Sequence, residues 1–352
     1  MQRDESFDAL RGIAIIAVVA IHASSSGLDL NNVTSSLNFD LTLLLRQLYN
    51  FAVPSFLFIS GYFLSRYEFN SINDVVNFFT KRLSRILIPF LFWSLVFLCY
   101  KIYKGADINL SDFIIRVITG RAAAPFYFIF LLLQLYTLTP VFYQINRLRY
   151  GPTLILCSNI FAMTIIYYIQ IYHSEIDGFY WYSAPFISWV IFYELGLITG
   201  CNEHVARKLR IGITGIKTAV IVVLMALSIS IIEGLAIINH TGNLDFATTA
   251  VKFSSFIYSL ACLWLFLIIR HLNIAWSMLL IKIGNVSFGI FLIHSIILGK
   301  VSSFLETFDI FNHNQFSGQF VAILTTLIIC YSVITLSRAA LPDRFNSRIL
   351  GF

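Results

Sequence analysis

Charge is what this sequence has least of. Only 12% of its 352 residues are Asp, Glu, Lys or Arg, about half of the roughly 25% that keeps the surface of a water-soluble domain hydrated. No stretch is long and polar enough for a separate soluble domain, and an apolar content of 58% is the opposite of what disorder requires. Cysteine is sparse too: Cys99, Cys157, Cys201, Cys262 and Cys330 stand singly in or at the ends of apolar segments. Without a CxxC pair, neither a disulfide framework nor a metal site is indicated, and they read as small core residues. The net charge of +6 comes with no basic run, zinc-ligand spacing or aromatic nucleic-acid motif, so nucleic acid is not an expected partner.

What the chain does have is hydrophobic length, with a mean hydropathy of +0.80. Apolar windows fall at 9–27, 44–65, 85–103, 125–144, 153–172, 181–201, 216–238, 249–269, 283–305 and 318–340. Each is close to the ~20 residues that span a hydrocarbon core of roughly 30 Å. The expected fold is all-α, a polytopic membrane helix bundle of about ten transmembrane helices, with residues 1–352 forming a single transmembrane domain. The first window imitates a signal peptide, but Asp4, Glu5 and Asp8 are wrong for a basic leader and Arg11 abuts the apolar run. It is expected to remain as the first span.

Charge placement orients the spans. With the N-terminus in the cytoplasm, inside loops hold Arg66, Lys81 and Arg82, then Arg147 and Arg149, then Arg207, Lys208 and Arg210, then Arg270 and Lys282, and finally Arg344 and Arg348. The outside loops 28–42, 173–180, 239–248 and 306–317 hold no Lys or Arg. The 104–124 loop, with Lys104, Arg116 and Arg121, breaks the pattern. This alternation predicts both termini in the cytoplasm. Residues 72–83 read as a helix on the cytoplasmic surface, with Val75, Val76, Phe78 and Phe79 toward lipid.

A titratable group at membrane depth costs roughly 2.5–3.5 kcal/mol on insertion scales, so each one needs a partner or a function. Arg11, His22, Arg85, Glu194, Glu233 and His294 are such groups, and Gln134 is a milder case. Arg11 and His22, eleven residues apart, share one helix face and differ in height by ~16 Å. Asp8, three residues before Arg11, is placed to pair with it. His22 reads either as a general base or as a histidine bonded to a neighbouring helix.

Arg82 and Arg85 occupy one face just before Pro89. Two guanidiniums there suit a phosphate, or else anchor the helix to lipid headgroups. His294 lies at a depth matching His22, with Ser287 on its own face one heptad earlier, so the two histidines could share a polar cavity. Glu194 could orient an imidazole or be a structural carboxyl.

These residues sit in segments that resemble the integral-membrane acyltransferase-3 family, bacterial O-acyltransferases of surface sugars and antibiotics. Phe7-Asp8-Ala9-Leu10-Arg11-Gly12, followed by His22, resembles its first-helix signature of an arginine, ten residues and a histidine. Phe58-Ile59-Ser60-Gly61-Tyr62 is similar to the second-helix pattern, and Lys81-Arg82-Leu83-Ser84-Arg85 ahead of Pro89 to the arginine-x-x-arginine motif. Leu135-Tyr136-Thr137-Leu138-Thr139-Pro140 resembles the end of the fourth helix, and the run from Ile283 to His294 the late signature. Two places depart from the pattern: Ala124-Pro125-Phe126-Tyr127-Phe128 lacks a tryptophan often found there, and Phe288 and Phe291 stand where tyrosine is common.

The resemblance implies transfer of an acyl group, usually acetyl, from acyl-coenzyme A to a hydroxyl of a glycan or lipid-linked sugar in a bacterial cell membrane. Acetyl-CoA is then a donor substrate, and no tightly bound cofactor is implied. Arg82, Arg85 and Lys81 would hold the donor's phosphates. The pantetheine arm, of the order of 15–20 Å, compares with the rise from Arg11 to His22. His22 would be general base or transient acyl carrier, Arg11 would orient the donor or stabilise the thioester oxyanion, and His294 and Glu194 would support the imidazole. Membrane lipids and glycan-synthesis proteins are the implied neighbours. Some proteins that resemble the family are assigned to poly-N-acetylglucosamine export, so an export component is the alternative, and an inactive scaffold for a glycan synthase a third reading.

Overall fold

The computed structural model describes residues 4–24, 37–172, 179–201, 214–270, 276–308 and 315–352. Among them, nine helical segments are long and apolar enough to cross a membrane, and the tenth expected span is present in broken form. The helices are α1 (Glu5–Ala23), α2 (Leu37–Tyr49), α3 (Ala52–Leu64), α4 (Ile72–Tyr103), α5 (Leu110–Ile118), α6 (Tyr127–Ile145) and α7 (Gly151–Tyr172). They continue with α8 (Val190–Cys201), α9 (Thr214–Thr241), α10 (Phe253–Ile269), α11 (Met278–Asn285), α12 (Ser287–Leu305) and α13 (Gln315–Ala340).

Large apolar side chains such as Phe161, Ile232, Leu324 and Leu336 point outward, as they do where the solvent is lipid. Cys99, Cys157 and Cys201 are exposed as well and only Cys330 is buried, which corrects the reading of all five as core residues.

Three expected spans differ from plain helices, each for a local reason. Residues 72–83 are not a separate surface helix but the first turns of the 32-residue α4. A capping box of Ser71 and Asp74 starts the helix, and no breaker follows before Pro89. Phe78 is correspondingly buried against Phe69, Tyr67 and Tyr136 rather than facing lipid.

The second span breaks at Asn50–Phe51 between α2 and α3. Asn50 donates to Gln47 (3.2 Å) and to Ser255 on α10 (2.9 Å), and Pro54 falls in the first turn of α3, where its missing N–H costs nothing. The sixth span breaks around Pro185. Its freed backbone carbonyls are taken up by Gln134 on Ala184 (2.8 Å), Trp189 on Ser183 (2.8 Å) and Asn159 on Ile187, as a broken helix in lipid requires.

The 104–124 loop that broke the charge pattern contains α5. Its Leu110, Ile114, Ile115 and Ile118 are all exposed, the face of a helix that lies in the membrane interface.

Two close helix crossings set the frame. A Cβ on Gly12 of α1 would strike the Leu280 carbonyl of α11, and one on Gly284 would strike the Asp8 carbonyl. Gly61 of α3 and Gly196 of α8 meet the facing backbones of Tyr193 and Phe58 in the same reciprocal way. Small residues let membrane helices approach until backbone touches backbone. α1 thus lies between two cores, with Phe7 and Leu10 in one and Ile15 and Val19 in the other. Away from the site, fully buried Lys252 donates to the Ser230 carbonyl (2.6 Å) and lies 3.8 Å from Glu233. Through Ser230 and Gln47 (2.9 Å) this network ties α2 to α9 and α10.

Candidate active site

Two cavities meet inside the bundle, stacked along α1. The one nearer the chain termini, about 270 Å³, is lined by Arg11, Ser60, Arg82, Arg85, Tyr136 and Ser287 among others. The deeper one, about 300 Å³, is lined by His22, Arg46, Val53, Pro125 and Tyr127 among others. Phe56, Phe128 and Phe291 line both, so these three rings are the partition. Phe128 packs at 6.0 Å from Phe56 and 5.5 Å from Phe291, centroid to centroid.

The lower cavity holds the arginines. Arg11 pairs with Asp8 at 2.9 Å, the i, i+3 contact expected of that spacing, and lies over the Phe63 ring at 5.1 Å. Arg82 donates its Nε–H to the Tyr67 hydroxyl at 2.8 Å, so its orientation is fixed by a neighbour. Arg85 is exposed, and neither it nor Lys81 has an acidic partner among the described residues. Ser60 and Ser287 join the arginines here, so two of the resembling segments supply polar groups to one chamber. Lys81 faces an adjoining cavity that shares Arg85.

The upper cavity holds the histidine. His22 and His294 come together as their matching depths predict, with ring centroids 5.3 Å apart. His294 is fully buried and lines neither cavity. Its Nδ1 lies 2.8 Å from the Phe291 carbonyl and 3.1 Å from that of Ile290. Carbonyls only accept, so Nδ1 carries the hydrogen, and the Nε2 lone pair of the neutral ring has no partner among the described residues. His294 therefore packs beside His22 without lining the cavity.

One residue of this chamber escaped the sequence reading. Arg46, on α2, donates to the Ile21 carbonyl (2.5 Å) and to the Thr248 hydroxyl (3.2 Å), while its buried Nε has no partner among the described residues. The signal was a lone arginine within Leu43-Leu44-Leu45-Arg46-Gln47-Leu48. Its nearness to His22 depends on the helix break that follows at Asn50–Phe51.

Glu194 does not join the site. It is fully buried on α8, lines neither cavity, and bonds to neither histidine. The α3–α8 crossing at Gly61 and Gly196 turns it into the other core. Of its two open readings, orientation of an imidazole has no geometric support.

Residues 4–335 match a family described as an acyltransferase domain. The chain is similar to the probable poly-beta-1,6-N-acetyl-D-glucosamine export protein of Staphylococcus epidermidis, 24% identical over 334 residues, which is 92% of this chain and 88% of that protein. It is also similar to the nodulation protein NolL of Sinorhizobium fredii, 29% identical over 174 residues, 47% of this chain and 42% of that protein. No solved structure matches it.

Proposed function

From a chain that belongs to the acyltransferase-3 family, and hence from an acyltransferase activity in general, we propose an O-acetyltransferase of the bacterial cell membrane. It moves acetyl from acetyl-CoA to a hydroxyl of a cell-surface polysaccharide or lipid-linked sugar. The observation that carries this reading is the pair of cavities divided by Phe56, Phe128 and Phe291, with cationic groups below and a histidine pair above. The end bearing Arg82, Arg85 and both termini faces the cytoplasm, in line with the charge alternation.

In this scheme the donor's phosphates are held by Arg82, Arg85 and Lys81, Arg11 orients the arm, and the thioester passes the phenylalanine partition. His22 takes the proton of the acceptor hydroxyl as its oxygen attacks the thioester carbonyl. His294 acts as a positioning residue: its ring packs beside His22, and its unpartnered Nε2 can accept the His22 N–H when the donor and acceptor bind, leaving the other His22 nitrogen for the hydroxyl. The oxyanion that forms lies beside His22, about 16 Å above Arg11 along the helix, so Arg46, which lines the same cavity as His22, is the group assigned to stabilise it. Collapse expels the thiolate of coenzyme A, and His22 returns the proton to it. The departures from the family pattern at Phe288 and Phe291, and most of the 124–128 segment that lacks the tryptophan, fall on cavity walls, where side-chain size sets what fits.

The name of the staphylococcal relative favours a second reading, glycan export. An aromatic partition beside a paired histidine suits group transfer better than passage of a polymer. The test is incubation of the purified protein in nanodiscs with labelled acetyl-CoA and surface glycan. Label should reach the glycan with the native protein and not with His22→Ala, and full activity in that variant would sink the mechanism.

A further inference from the structure

A third cavity, about 650 Å³, opens beside the lower one. Arg85 and Phe288 line both, so the two cavities adjoin at that wall. One side is the α4 face of Thr80, Lys81, Ser84, Arg85 and Ile88, and the other is the C-terminal tail through Ser347, Arg348, Gly351 and Phe352. Its volume lies within the ~300–1,000 Å³ typical of small-molecule sites.

The tail is held in place by its own bonds. Trp93 of α4 donates to the Leu350 carbonyl at 3.0 Å and stacks on Phe352 at 6.0 Å. Asn346 donates to the carbonyls of Ser337 (3.1 Å) and Leu341 (3.0 Å), and the Phe352 N–H returns to the Asn346 carbonyl at 2.9 Å. Gly351 has φ +73°, a conformation that favours glycine, and a Cβ there would press on Phe288 and Leu292. These contacts fix the backbone on either side of Arg348 while its side chain stays exposed on the cavity.

Lys81, Arg85 and Arg348 thus converge on one chamber, and none has an acidic partner among the described residues. Three uncompensated cations with Thr80, Ser84 and Ser347 hydroxyls around them call for a multiply charged anion. The 270 Å³ cavity that shares Arg85 is lined by Arg11, Arg82 and Ser60 on one hand and by Ile86, Leu132 and phenylalanines on the other, so it offers an arm of amides and methylenes both polar and apolar walls.

We propose that the C-terminal tail completes the donor site, with Arg348 as a further phosphate-binding cation that joins Lys81 and Arg85 in receiving a bisphosphorylated nucleotide head in the 650 Å³ cavity while the arm enters the lower one. This rests on the acyl-CoA reading above and adds a residue and a chain segment to it. The phosphates of anionic lipid headgroups carry the same chemistry, so the test separates the two sources.

Calorimetry with adenosine 3′,5′-bisphosphate is done on the full-length protein in phosphatidylcholine nanodiscs. Arg348→Gln should weaken binding about tenfold, Arg348→Lys should recover part of the loss, and Arg344→Gln, on the same tail but off the cavity, should leave it unchanged. Transfer from S-acetyl-pantetheine, which lacks the nucleotide, should be equal in the native and Arg348→Gln proteins. Equal bisphosphate affinity in those two, or an equal loss in Arg344→Gln, overturns the proposal while leaving the acyl-CoA reading intact. Loss of native binding in phosphatidylglycerol nanodiscs assigns the cavity to a lipid headgroup and also overturns it. If the native protein binds neither the bisphosphate nor acetyl-CoA, both readings fall together.

Discussion

His22 on α1 and His294 on α12 lie with ring centroids 5.3 Å apart, and the Nδ1 of His294 is tied to two backbone carbonyls of its own helix. That tie leaves the Nε2 of His294 as an acceptor with no hydrogen-bond partner among the described residues. A base inside a membrane needs such a neighbour to set which of its nitrogens is free.

Removing either imidazole should therefore have different consequences. His22→Ala should lower acetyl transfer by about 10²–10⁴-fold, the range expected for loss of a general base. His294→Ala should also be impaired, but His294→Gln, which keeps an acceptor, should recover part of the rate and shift the pH profile. Mass spectrometry of the acetylated glycan gives the rates, and identical profiles for the native and His294→Gln proteins would argue against a positioning role.

Arg46 and Arg85 should separate in kinetics because they line different cavities. Arg46→Gln should reduce kcat by about 10²-fold with little change in donor KM, as expected when a donor to an oxyanion is lost. Arg85→Ala should mainly raise the KM for acetyl-CoA. An unchanged KM in the second variant would point to a lipid anchor instead of a phosphate clamp.

The parts of the site legible in the sequence were those carried by a single helix. Asp8 with Arg11, Arg82 with Arg85, and Ser287 with His294 follow from spacing, and equal depth was enough to pair the two histidines. Arg46 was not legible in the same way, because its place depends on a break at Asn50 that is stabilised by Ser255 far along the chain. The sixth span shows the same limit: Gln134, Asn159 and Trp189 make its break affordable, and only one of them lies on that span. The surface helix expected over 72–83 failed for a simpler reason, since an amphipathic start and an apolar continuation are one helix when nothing interrupts them.

For Glu194 the sequence left two readings open, and the structure places the residue away from both cavities. Its carboxyl touches neither histidine nor either cavity. Glu194→Gln keeps the shape and should leave kcat and KM close to native, because no contact with the reacting groups is lost. A tenfold loss of kcat at normal stability would restore it to the mechanism.

The Gly12–Gly284 crossing holds α1 against the helix that leads into α12, and so sets the histidine pair in register. Gly12→Val should push α1 from the Leu280 carbonyl and lower the midpoint of thermal unfolding in detergent by several degrees, as overpacking costing about 1–3 kcal/mol would. Normal stability together with normal transfer would mean that the crossing can relax without moving His22.

Phe128 offers the sharpest test of the two-chamber arrangement, because it touches both other rings of the partition. Phe128→Trp adds bulk where the thioester must pass, yet leaves the arginines below and the histidines above unaltered. Transfer from acetyl-CoA should fall at least tenfold while binding of adenosine 3′,5′-bisphosphate stays native. Phe128→Ala opens the partition instead and should admit acyl donors with longer chains, raising their rate relative to acetyl. If both variants transfer acetyl and longer acyl groups as the native protein does, the thioester does not cross between Phe56, Phe128 and Phe291, and the acyl group must reach His22 by another route.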